Sequence, residues 1–134
     1  MTANAPSGRR PAVAAVRQHW PEYLMEGAEL GLFMLSACLF SALLFHPGSG
    51  ASAWPPFPRM ALMGLAMAAT AVAIVYSPLG RRSGAHFNPS VTLTYLRLGR
   101  IAPWDAAFYV GAQFAGGVAG VFVAEALLGD VLAH

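Results

Sequence analysis

Lysine is missing from this sequence altogether, and charge of either sign is scarce. Charged residues make up 10% of the 134 and hydrophobic ones 57%, with a mean hydropathy of +0.54. A soluble domain carries charge on about a quarter of its residues, so that class is excluded and the indicated solvent is lipid. The eight basic residues are all arginine and stand against six acidic ones. A formal charge of +2 and a pI near 9.1 reflect those few arginines, and no basic stripe with interleaved aromatics marks a nucleic-acid surface. A single cysteine, Cys38, excludes an internal disulfide and, set in an apolar run, reads as a small buried hydrophobe. Nucleophile–base pairs, metal-ligand spacings and phosphate-binding loops are missing too, so neither an enzyme nor a metal or cofactor is indicated. His19, His46 and His134 are scattered and form no ligand set.

What is present is apolar length. Three stretches, about 24–45, 60–76 and 104–128, match the roughly 20 helical residues that a bilayer crossing needs. Pro21 suits the opening turn of the first, where a missing N–H costs nothing, and His46-Pro47-Gly48 closes it. The second stops before Ser77-Pro78-Leu79-Gly80, and the third follows Pro103 and ends at Gly129-Asp130. Trp20, Tyr23, Trp54, Trp104 and Tyr109 fall near the ends of these spans, as an interfacial aromatic belt would place them. Gly27 and Gly31 in the first span, and Ala112, Gly116 and Gly120 in the third, form small-xxx-small seams that predict close helix packing.

The arginines give an orientation. Arg9, Arg10 and Arg17 precede the first span, Arg81, Arg82, Arg97 and Arg100 lie between the second and third, and Arg59 alone lies between the first and second. The positive-inside rule puts the N-terminus and the 81–100 connection in the cytoplasm, with residues 1–20 as a cytoplasmic tail ahead of a membrane unit over 21–134. Arg9-Arg10 does not make a twin-arginine signal, because Pro11 follows and the apolar run 12–16 is too short.

The connection from Ser77 to Pro103 is the informative one. Val91, Leu93, Tyr95, Leu96 and Leu98 are spaced as in a helix, yet about ten residues cannot cross a membrane. A re-entrant half-helix over about 88–98 fits. Asn88 is a good N-cap, Pro89 is preset for the first helical position, Gly99 supplies the stop, and Arg97 and Arg100 sit at the negative end of the dipole. Non-helical backbone at membrane depth is tolerated only in protein or beside a water-filled cavity. Gly84, Ala85, His86 and Phe87 are therefore expected to approach extended, with carbonyls facing a pore that ends at the Asn88 amide. Such a ladder suits small neutral polar solutes in single file, while the helix N-terminus repels cations and protons.

The run SGAHFNPSVTL, residues 83–93, resembles the first signature loop of the aquaporin and glycerol-facilitator (major intrinsic protein) family, usually SGAHxNPAVTL, and the likeness extends over about 22–128. Glu29 in GAELG resembles the family's first-helix glutamate, and Ala112-Gln113 with Gly116-Gly117 its third-helix pattern; SPLGRRSGAH looks most like bacterial members. The resemblance implies an all-α membrane fold: one repeat of three spanning helices and a half-helix, in the inner (plasma) membrane. It implies that Asn88 is the pore-centre donor, that Gly84, Ala85, His86 and Phe87 line the inner half of the pore, and that Pro89 and Ser90 contact a second half-helix. Glu29, with Gln113, is implied to brace the loop from behind. Ser90 stands where the family usually has Ala, and 64–70 offers no aromatic constriction residue, which favours a wider filter than a water-only one.

The family builds its pore from two inverted repeats, and only one is found here. Two functional classes follow: a half-channel for water, glycerol or another small neutral solute, completed by a second repeat or copy in a homo- or hetero-oligomer, or a non-conducting structural subunit. His86 reads as a packed loop residue in preference to a gate or pH sensor. Glu26 and Glu29 read as structural in preference to a proton relay, with Glu26 expected to be solvated at the interface. Glu125 reads as interfacial or as an oligomer contact.

Overall fold

The computed structural model describes residues 11–132, and every regular element among them is helical. They are α1 (Ala12–Phe45), α2 (Pro56–Tyr76), α3 (Pro78–Ser83), α4 (Pro89–Arg97) and α5 (Pro103–Leu128), followed by a 3₁₀ turn, Gly129–Leu132. Four of the five helices begin on proline, whose fixed φ suits the first helical position and whose missing N–H would have no intrahelical partner there. Helices α1, α2 and α5 are each long and apolar enough to cross a membrane.

The first helix departs from expectation. It starts at Ala12, not near residue 21, so the segment read as a tail is helical from 12 onward and Pro21 lies inside the helix. An interior proline forfeits a backbone hydrogen bond and costs about 3 kcal/mol. Contacts on either side of it offset that cost: His19 Nδ1 lies 3.0 Å from Asp105 Oδ1, and the Tyr23 hydroxyl donates to the same oxygen at 2.5 Å. Tyr23 is consequently buried rather than part of an interfacial belt, as is Tyr109, whereas Trp54 just ahead of α2, Trp104 at the start of α5 and Trp20 inside the extended α1 are exposed.

The core is the α1–α5 pair, joined backbone to backbone along the two glycine seams. A Cβ at Gly27 would lie 2.8 Å from the carbonyl oxygen of Ala112, and one at Gly31 2.8 Å from that of Gly116. Added to Gly116 or Gly120, a Cβ would overlap the carbonyl oxygen of Gly27 or Gly31 outright. Helix α2 leans on α1 and α3 and buries only Ile74, while α4 packs on α5 alone among the helices.

Helix α3 was not anticipated. Ser77 ends α2, yet its hydroxyl accepts from the Gly80 backbone N–H at 3.1 Å and so caps a new helix opened by Pro78. Gly84, at φ +100°, terminates it. The break that the Ser-Pro-Leu-Gly run signals is therefore a sharp change of direction between two helices, and it delivers the chain to the loop that matters.

Candidate functional site

Helix α4 is built as its sequence dictates. Asn88 is extended, at φ −154°, and its Oδ1 accepts from the Ser90 N–H at 2.8 Å. At the other end Gly99 (φ +67°) bonds back to the Leu96 carbonyl and Arg100 to that of Tyr95, the paired bonds of a Schellman motif. Nine residues at 1.5 Å each give about 14 Å, half a bilayer core. The Asn88 amide nitrogen keeps both hydrogens without a partner among the described residues, and Asn88 and Ser90 are exposed with Pro89 half-buried between them.

The approach to Asn88 is held from behind by one carboxylate, and it belongs to Glu26. This side chain is fully buried and accepts three hydrogen bonds: from the His86 N–H to Oε1 at 2.9 Å, and from the Phe87 N–H and the Gln113 amide to Oε2, each at 2.7 Å. The expectation that Glu26 is solvated at an interface is overturned, because two consecutive backbone donors of the loop point inward at it. That demand also corrects the expected backbone. Ala85 (φ +50°) and Phe87 (φ +26°) adopt left-handed conformations rather than extended ones, since the chain must curl to aim both N–H groups at one carboxylate. Such conformations cost non-glycine residues about 1–3 kcal/mol each. Charge-assisted hydrogen bonds in a buried setting are strong enough to hold them.

A chain of bonds extends the brace into α4 and α5. The Gln113 amide, fully buried, donates also to Thr92 Oγ1 at 3.0 Å, and Thr92 Oγ1 lies 3.1 Å from His86 Nδ1. The Thr92 contact ties the His86 imidazole to the same chain of bonds. Its ring packs against Tyr95 and Tyr109 at centroid separations of 4.4 and 5.3 Å. His86 thus sits buried inside the fold while the backbone on either side of it runs along the loop. Phe87 turns the other way, onto Phe33 at 5.6 Å.

Glu29 has a smaller share. It accepts one bond, from the Ser83 hydroxyl at 2.7 Å, and that hydroxyl in turn accepts from the Ala85 N–H at 3.0 Å. The Tyr109 hydroxyl donates to the Ser83 carbonyl at 2.6 Å, fixing the same turn from α5. Glu29 Oε2 and Gln113 Oε1 are buried with no partner among the described residues. Ser83 and Thr92 fall inside the signature run and Glu26 reads as structural, but no local pattern marks the bonds that these three and Tyr109 make within the site. For Glu26 the signal was there: a carboxylate inside an apolar span has to be partnered.

What the arrangement offers chemically is a short helix with its N-terminus and one free side-chain amide presented outward, held by a buried polar network. It can donate hydrogen bonds to a neutral polar molecule and disfavours a cation. A profile of the family described as major intrinsic protein matches residues 15–133. The aquaglyceroporin AqpS of Rhizobium meliloti is 38% identical over 92 residues, 68% of this chain and 40% of that protein. The lens fiber major intrinsic protein of Mus musculus is 38% identical over 87 residues, 63% of this chain and 33% of its own length. Aquaporin-2 of Equus caballus is 36% identical over 88 residues, 65% of this chain and 81% of the compared sequence. The chain thus spans well under two thirds of the first two relatives. No solved structure matches it.

Proposed function

The chain belongs to the major intrinsic protein family and is an integral membrane protein, and from that premise we propose that it is one repeat of a channel for water, glycerol or another small neutral solute. In this reading the Asn88 amide is the solute-contacting donor at the pore centre. The carbonyls of Gly84, Ala85, His86 and Phe87 line the inner approach, and Pro89 and Ser90 abut a second half-helix supplied by another repeat or another copy. The observation that carries it is the free Asn88 amide, presented at the exposed end of a half-helix that a fully buried carboxylate and glutamine hold in place. A helix added only for packing has no need of an outward amide. The arginine bias between the connections supports a cytoplasmic N-terminus.

Stopped-flow light scattering on proteoliposomes tests this. The chain is reconstituted alone and together with the part of the Rhizobium relative that it does not match, as the source of a second repeat, then challenged with an impermeant osmolyte and with glycerol. Where the second half-helix is present, shrinkage well above that of empty liposomes with a low activation energy is expected. An assembled, folded pair with no excess permeability would assign the chain to the other class, a non-conducting structural subunit.

A further inference from the structure

The function proposed above uses the middle of the fold and leaves its arginine-rich end unassigned. Three contacts define that end: Arg82 Nε lies 3.0 Å from Glu22 Oε1, and both His19 and Tyr23 meet Asp105. They bring the start of α1, helix α3 and the start of α5 together. The last turn of α4 arrives there too, because Arg100 closes it just ahead of α5. Glu22 and Asp105 are occupied by these contacts. Arg17, Arg81, Arg97 and Arg100 are exposed with no acidic partner among the described residues.

The length of α1 is the second, independent observation. Its 34 residues span about 51 Å, against roughly 30 Å of bilayer hydrocarbon. Beside the exposed Arg17 and Gln18, the excess turns carry an apolar face. Val13 is 69% exposed, Val16 37%, Trp20 55% and Leu24 64%. Their spacing of i, i+3, i+7 and i+11 puts them on one helix face, continuous with the span. Arg17 follows Val16 and precedes Trp20 by less than one turn. Guanidinium groups beside a tryptophan and aliphatic side chains match a phospholipid at the level of its phosphate. Arginine forks pair with phosphate oxygens, and tryptophan settles at the headgroup boundary.

We propose that this end of the protein binds the headgroups of anionic phospholipid, held by Arg17, Arg81, Arg97 and Arg100, with Val13, Val16 and Trp20 seated at the boundary between headgroup and acyl chain. The site uses none of the residues around Asn88, so it stands or falls independently of conduction.

The test reads Trp20 directly. A variant keeping Trp20 alone (Trp54→Phe, Trp104→Phe) is reconstituted in phosphatidylcholine vesicles containing either brominated phosphatidylglycerol or brominated phosphatidylcholine. Near a membrane surface each arginine contributes roughly a fivefold preference for anionic lipid. Quenching of Trp20 is therefore expected at a mole fraction of brominated phosphatidylglycerol at least about tenfold lower than of brominated phosphatidylcholine. A variant keeping Trp54 alone, at the opposite end, should show no preference. Changing the four arginines to glutamine should abolish the Trp20 preference with helix content unchanged by circular dichroism. Equal quenching of Trp20 by the two lipids, with all arginines in place, would overturn the proposal and needs no arginine variant. Loss of the preference on adding inorganic phosphate would overturn the lipid assignment in favour of a soluble anion.

Discussion

Replacing Glu26 with alanine is expected to lower folded stability by about 3–5 kcal/mol, the largest loss for any single polar side chain in the protein. The change strands three donors at once. The backbone N–H groups of His86 and Phe87 and the Gln113 amide all end on this carboxylate, and neither residue 26 nor Gln113 has any exposure to water. The left-handed backbone at Ala85 and Phe87 then has nothing to hold it, so loss of the loop should accompany loss of stability. Glu29→Ala removes a single bond from Ser83 and should cost about 1–2 kcal/mol. Unfolding of the two variants in mixed micelles, with hydrogen exchange at the His86 and Phe87 amides, separates the roles. Equal losses, or protected amides in Glu26→Ala, would contradict the assignment of Glu26 as the principal brace.

That contrast also marks where the sequence could be read and where it could not. The half-helix was legible because each of its determinants is local: an asparagine cap, a proline at the first position, a glycine stop, all within twelve residues of chain. The ends of the spans at Phe45, Tyr76 and Leu128 were legible for the same reason, and the glycine seams by their spacing of four. The division of labour between Glu26 and Glu29 was not. It depends on which carboxylate meets a loop 60 residues downstream and a glutamine 87 residues away, and the two sit less than one helical turn apart in sequence. The passage of α1 through Pro21 was hidden likewise, since it depends on His19 and Tyr23 reaching Asp105 on another helix. Tyr23 and Tyr109 look like interfacial aromatics in one dimension, and only the packed structure shows that their hydroxyls bond to Asp105 and to the Ser83 carbonyl.

A second large effect is expected at the α1–α5 seam, where Gly116→Ala should destabilise by more than the roughly 1–3 kcal/mol usual for overpacking. The added methyl group would overlap the carbonyl oxygen of Gly27, which is main chain and can move only if the two helices separate. Separation would also pull Gln113, one turn away on α5, from Glu26 and Thr92, so the brace would be lost with the seam. Gly111, on the same helix, provides the opposite sign. A Cβ there meets nothing within 4 Å, so Gly111→Ala should gain roughly 0.5–1 kcal/mol from helix propensity alone. Thermal or denaturant unfolding of both variants in one detergent reads the difference. Similar behaviour of the two would mean that α1 and α5 are not in backbone contact.

The central claim is that Asn88 does two jobs, capping α4 with its oxygen and meeting solute with its nitrogen. The most direct test is the permeability of Asn88→Asp measured in the same two-repeat proteoliposomes as the parent. Aspartate caps a helix as well as asparagine does but has no amide donor. The account predicts an unchanged melting temperature and an excess water or glycerol permeability reduced by about tenfold or more, the loss expected when a donor is replaced by a charge that holds its own water. Parent-level permeability in a folded Asn88→Asp assembly would contradict it, leaving Asn88 a cap and placing the solute path elsewhere.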